Sequence, residues 1–144
     1  MSKKDNKISK KITFSLFFIL FFVGLFTFKD YGISVDEEFQ RASGFYWLNY
    51  VLSFTSFEEL KNLVFLKVNQ IEGFTLSRPQ DYPYYGIVFD LPLALLEVAF
   101  KIEEPKNYFY FRHLFGFLLF FIASIYFYKL LLNRFSNYYV SLIG

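Results

Sequence analysis

The sequence predicts an all-α membrane protein with about three transmembrane helices and two amphipathic interfacial helices in the first outer loop. Three observations predict it. Apolar residues make up 55% of the 144 and aromatics 25%, more apolar surface than a water-soluble globule of this size can hide. Two long stretches, Ile12–Phe28 and Leu114–Tyr128, carry no charge at all. The densest group of cations sits directly before the first of them. The same composition excludes a disordered chain, and a net charge of only +2 argues against a nucleic-acid partner. With no cysteines, disulfide frameworks, thiolate metal sites and cysteine nucleophiles are all excluded.

Residues 1–11 form a basic tail, holding Lys3, Lys4, Lys7, Lys10 and Lys11 against Asp5 alone. Residues 12–28 form the first span. At ~1.5 Å per residue they cover about 25 Å, and a snorkelling Lys11 with Lys29 and Tyr31 at the far interface makes up the rest of a ~30 Å hydrocarbon core. A cleaved signal peptide would have a shorter apolar region and a small-x-small site, and none follows Phe28. The positive-inside rule puts the N-terminus in the cytoplasm.

Residues 29–85 then form an outer loop. Ser34-Val35-Asp36-Glu37 fits a capping box opening a helix through Asn49, with Phe39, Ala42, Phe45 and Tyr46 on one face. Ser56-Phe57-Glu58-Glu59 fits a second, with Phe57, Leu60, Leu63, Val64 and Leu66 apolar. Both helices are expected to lie on the membrane surface or against other spans. Gly73 to Tyr85, with Pro79 and Pro83, is loop chemistry, and Tyr82, Tyr84 and Tyr85 suit an aromatic belt.

Residues 86–101 are expected as the second span, although they contain Asp90, Pro92 and Glu97. Seven positions apart, the two carboxylates lie within about 20° on a helix. Either they line a protein or water interior, as intramembrane carboxylates do, or Asp90 caps a helix beginning at Leu91 while Glu97 pairs with Lys101. Residues 102–108 are then a short cytoplasmic turn and 109–132 the third span, entered at Arg112-His113, with Gly116, Ala123 and Ser124 as small contact positions. Residues 133–144 are an outer segment in which a further apolar stretch begins.

No phosphate-binding glycine loop, HExxH, G-x-S-x-G or Cys/His metal spacing is present. His113 suits interfacial packing or hydrogen bonding better than catalysis. The remaining candidates are Asp36 and Glu37, just beyond the first span. A carboxylate there is able to take the proton from an acceptor hydroxyl as it attacks a sugar carbon, and a lipid-phosphate leaving group needs cations rather than an acid. The alternative is that Glu37 completes the Ser34 box and Asp36 favours the helix N-terminus. Two adjacent carboxylates leave a divalent cation open as a cofactor but are too few ligands to define its site.

A basic tail, one span, then Gly32-Ile33-Ser34-Val35-Asp36-Glu37 and two amphipathic helices resembles the beginning of a GT-C-fold membrane glycosyltransferase, in the superfamily of protein mannosyltransferases and lipid A aminoarabinose transferases. Tyr84-Tyr85-Gly86 before an Asp-Leu-Pro segment, and Tyr110-Phe111-Arg112-His113-Leu114 opening the next, are similar to a bacterial branch of it. The resemblance implies a partial GT-C fold in the bacterial inner membrane and a polyprenyl-phosphate sugar donor. It implies Asp36 as catalytic carboxylate, Glu37 as its acidic neighbour, and further spans supplied by the rest of the enzyme. Asp90, Glu97, Arg112 and His113 are then interior polar candidates. A small non-enzymatic membrane protein that associates with a larger membrane partner is the other function the sequence accommodates.

Overall fold

The computed structural model describes residues 3–69, 71 and 87–143, and every regular element among them is helical. The loop expected over residues 73–85, with its prolines and tyrosines, lies outside the described residues. Six helices follow in order: α1 Lys3–Thr27, α2 Val35–Ser53, α3 Glu58–Asn69, α4 Ile87–Ala99, α5 Pro105–Phe135 and α6 Tyr138–Ile143. Two of them are long and apolar enough to cross a membrane: α1 over Ser9–Thr27 and α5 over Pro105–Phe135. The thirteen residues of α4 rise only about 20 Å, short of a ~30 Å hydrocarbon core.

The chain divides into two compact units, one made of residues 32–108 and the other of 1–31 with 109–144. In the first unit α2 packs on both α3 and α4. Phe45 and Val64 are fully buried at its centre, with Ala42, Leu48, Leu52, Val68, Ile71, Ala94 and Val98 around them. The α2 face read from the sequence is the buried one, Ala42, Phe45 and Tyr46 all facing inward. For α3 the face differs: Val64 and Val68 are buried, whereas Phe57, Leu63 and Leu66 are exposed. The apolar stripe of α3 is wider than the surface α2 covers: Val64 is buried and Leu60 packs against the core, while the rest of the stripe is exposed.

Both proposed capping boxes resolve differently. Ser34 stands at the N-cap with extended backbone (φ −80°, ψ 153°), yet its hydroxyl makes no capping bond. At the start of α3, Thr55 Oγ1 accepts from the Phe57 amide at 3.5 Å and its hydroxyl donates to the Leu52 carbonyl at 2.8 Å. α6 carries a side-chain cap: Asn137 Oδ1 accepts from the amides of Tyr139 (3.0 Å) and Val140 (3.3 Å).

α4 ends in a Schellman arrangement: the Ile102 amide donates to the Glu97 carbonyl (3.0 Å) and the Lys101 amide to that of Val98 (3.1 Å). The left-handed position falls on Lys101 (φ 52°), where glycine is the usual occupant. Glu104 and Pro105 then start α5, with the Asn107 and Tyr108 amides donating to the Glu104 carbonyl and Pro105 at the first helical position, where its missing N–H costs nothing. Residues 105–108, expected in a turn, are therefore helical.

In the second unit α1 and α5 run antiparallel. Thr13 pairs with Tyr128, Phe17 with Phe121 and Tyr128, Phe21 with Phe117 and Phe121, and Phe28 with Tyr110. Gly24 lets the Phe117 ring approach so closely that an added Cβ would sit 1.9 Å from it. A three-span path, with the last span leaving the cytoplasm, would instead run these two helices parallel. Antiparallel pairing puts Lys129 and Arg134 at the same end as the lysine-rich N-terminus, the arrangement that the positive-inside rule favours. α4 itself is short and packs against α2 through Ala94 and Val98, with Asp90 and Glu97 buried on the same helix.

Candidate functional site

The site is built from the two ends of one packing face. α2 begins with three acidic residues, Asp36, Glu37 and Glu38, in its first turn, where carboxylates complement the helix dipole. Asp36 is exposed and has no partner among the described residues; Glu37 is half-buried. The backbone contact here is from the Glu37 amide to the Ser34 carbonyl at 3.2 Å.

One further turn along, Arg41 enters the interior at 6% exposure. Its Nε donates to Glu97 Oε2 at 3.0 Å and its Nη2 to Oε1 at 2.6 Å, a two-bond fork. The guanidinium lies 3.7 Å from the centre of the Tyr108 ring and 5.2 Å from that of Phe45. Lys67 approaches Glu97 Oε1 at 3.9 Å while donating to the Ile102 carbonyl. Cations from two other helices, Arg41 of α2 and Lys67 of α3, thus meet the Glu97 carboxylate of α4. Such a pair adds little stability over apolar packing, but a half-removed one strands a buried charge.

This replaces the expected Glu97–Lys101 pair. Lys101 is exposed beyond the end of α4, in the left-handed turn, and Glu97 points toward α2. Asp90 does not cap a helix starting at Leu91 either, because α4 extends back to Ile87 and Asp90 lies in its first turn. Asp90 is nonetheless buried, at 6% exposure, on the same face as Glu97, as their seven-residue spacing predicts. Opposite it, Gly44 allows a backbone approach so close that a Cβ would stand 2.4 Å from the Asp90 carbonyl oxygen. Pro92 falls inside the helix, with the peptide group of Val88 that it cannot bond lying on an exposed residue.

Asp36, Glu37, Asp90 and Glu97 all belong to the unit of residues 32–108. Arg112 and His113 belong to the other, where Arg112 is buried and the His113 ring meets Tyr31 edge-on at 5.8 Å. Sequence reasoning missed Arg41, Lys67 and Tyr108. Arg41 had one detectable signal: it lies four residues before Phe45 and seven before Leu48, a cation on an apolar stripe. Nothing local links it to Glu97, 56 positions away. Among the described residues no group of three or more His, Asp or Glu side chains is placed to hold a metal ion. No protein-family model, curated protein or solved structure matches the chain.

Proposed function

We propose that the chain carries the acidic outer-face motif of an inverting GT-C-type glycosyltransferase, which moves a sugar from a polyprenyl phosphate to an acceptor hydroxyl. The observation that supports this reading most directly is the state of Asp36. The Asp36 carboxylate stands exposed and unpartnered among the described residues, open to a substrate, and the Ser34 hydroxyl beside it makes no capping bond. It heads a helix whose next turn is fixed by the buried Arg41–Glu97 fork, so the carboxylate has a rigid base.

In this reading Asp36 takes the acceptor proton while the acceptor oxygen bonds to the anomeric carbon. The bond from that carbon to the phosphate oxygen breaks, and the polyprenyl phosphate leaves with the electron pair. Glu37 assists the base. Residues 32–108 lie between the two candidate spans in the chain, so a cytoplasmic N-terminus puts Asp36 on the outer face. Cations for the leaving phosphate, and the remaining spans, come from the rest of the enzyme or a partner membrane protein.

The test is sugar transfer from a radiolabelled polyprenyl-phosphate hexose in membranes carrying the gene's entire reading frame. Asp36→Asn is expected to lower turnover by about 10²–10⁴-fold, the usual share of a general base, with unchanged protein level. Turnover equal to the parent removes Asp36 from the mechanism. Stable association with another membrane protein and no transfer is the result the non-enzymatic reading expects.

A further inference from the structure

The unit formed by α1, α5 and α6 holds a groove of about 700 Å³, inside the ~300–1,000 Å³ range of small-ligand sites. Its walls are Phe14, Phe17, Phe18, Phe21, Phe121 and Ile125, and its polar groups collect at one end: Lys10, Lys129, Thr13 and Tyr128. An acyl chain of the surrounding bilayer fills any such apolar wall. What distinguishes this groove is the polar end, which selects among headgroups.

We infer that this groove is a binding site for an anionic phospholipid of the leaflet at the basic end of the helix pair, with its phosphate between Lys10 and Lys129. Charge complementarity carries the assignment. Neither lysine has a carboxylate partner among the described residues; Lys10 Nζ lies 6.0 Å from the centre of the Tyr138 ring and Lys129 Nζ 5.4 Å from that of Tyr126. Residues 109–144 contain no acidic residue at all, and the five lysines of residues 1–11, with Lys129 and Arg134, stand against Asp5 alone. Anionic lipids are drawn to such juxtamembrane clusters. The hydroxyls of Thr13 and Tyr128 are 3.3 Å apart, and their mutual bond uses one of two protons, leaving one O–H for a phosphate oxygen. Two lysines and a hydroxyl lining one end of an apolar slot suit a phosphodiester on an acyl chain, with Lys129 Nζ turning from the Tyr126 ring to reach it. Zwitterionic phosphatidylcholine, with its own cation beside the phosphate, matches them poorly. This site is independent of the role of Asp36.

The test titrates the full detergent-purified chain with dioctanoyl phosphatidylglycerol, dioctanoyl phosphatidylcholine or inorganic phosphate, and reads retained adducts by native mass spectrometry. Phosphatidylglycerol is expected to bind about tenfold or more tighter than phosphatidylcholine. The Lys10→Gln/Lys129→Gln double variant should abolish the preference, while Lys10→Arg/Lys129→Arg and Lys61→Gln, a lysine that does not line the groove, should keep it. Both lysines are exposed, so the neutral variant is expected to retain its helical circular dichroism. Equal retention of the two lipids overturns the proposal, as does a preference that survives the double variant. Inorganic phosphate binding as tightly as the lipid would make this a free-anion site, and a dimeric mass without lipid would assign the groove to a second copy; either result also overturns it.

Discussion

Single residues set the tolerance of the α2–α4 contact. Removing one side of the Arg41–Glu97 fork leaves the other charge buried, so Arg41→Ala or Glu97→Ala should cost about 3–5 kcal/mol in detergent unfolding. Replacing both with Met and Leu should cost much less, and a double variant as unstable as either single one would contradict that account. The two interior glycines differ in what surrounds them. At Gly44 the obstacle is the Asp90 backbone, which has no rotamer to escape into, so Gly44→Ala should destabilise by about 1–3 kcal/mol or more. At Gly24 the obstacle is the far edge of the Phe117 ring, which can swing aside, so the same change there should be the milder one. Lys101 offers the opposite sign: Lys101→Gly relieves a left-handed residue at a Schellman position and should raise the melting temperature, by about 1 kcal/mol of stability.

For whole elements, the helix ends separate pattern from realised contact. Ser34→Ala should be nearly neutral because that hydroxyl caps nothing, whereas Asn137→Ala removes two capping bonds and should cost α6 about 1 kcal/mol. Hydrogen exchange at the Tyr139 and Val140 amides against those of Glu37 and Glu38 checks both expectations. The Ser34 hydroxyl is right in spelling yet makes no cap, because spacing fixes which bonds are reachable and tertiary packing decides which form. The helices themselves were legible: apolar period gave the buried face of α2, and unbroken apolar runs gave α1 and α5. Pairings between helices were not, since the Arg41–Glu97 fork joins residues with no local relation. The buried side of Asp90 and Glu97 was readable from their spacing, but the partner that buries them was not.

At the level of the whole molecule, the antiparallel pairing of α1 and α5 brings the lysine-rich N-terminus and Lys129 to one end of the helix pair, and a hairpin crossing of the membrane is the topology to test. Because the chain has no cysteine, single replacements report this directly. Asn62→Cys, exposed on α3, should react with an impermeant maleimide from outside intact cells, and Asn133→Cys, exposed near the end of α5, only after permeabilisation. Labelling of both from one side would break the hairpin topology and, with it, the outer placement of Asp36. Asp36 could be singled out from the sequence because it sits in a short contiguous motif. The groove of the helix pair could not, because it forms from residues more than a hundred positions apart, such as Thr13 and Tyr128.

That separation has a consequence for biogenesis. The residues between Thr27 and Pro105 must leave the ribosome before α5 can meet α1, which at ~5–20 residues per second is on the order of 4–16 seconds. Over that interval α1 is a solitary insert whose phenylalanines are solvated by acyl chains, a state that asks nothing of α5. The nascent α2 has no such refuge for Arg41 until Glu97 has been translated, so the segment most exposed to quality-control proteases is that of residues 32–108, and variants that weaken its ion pair should be degraded during synthesis.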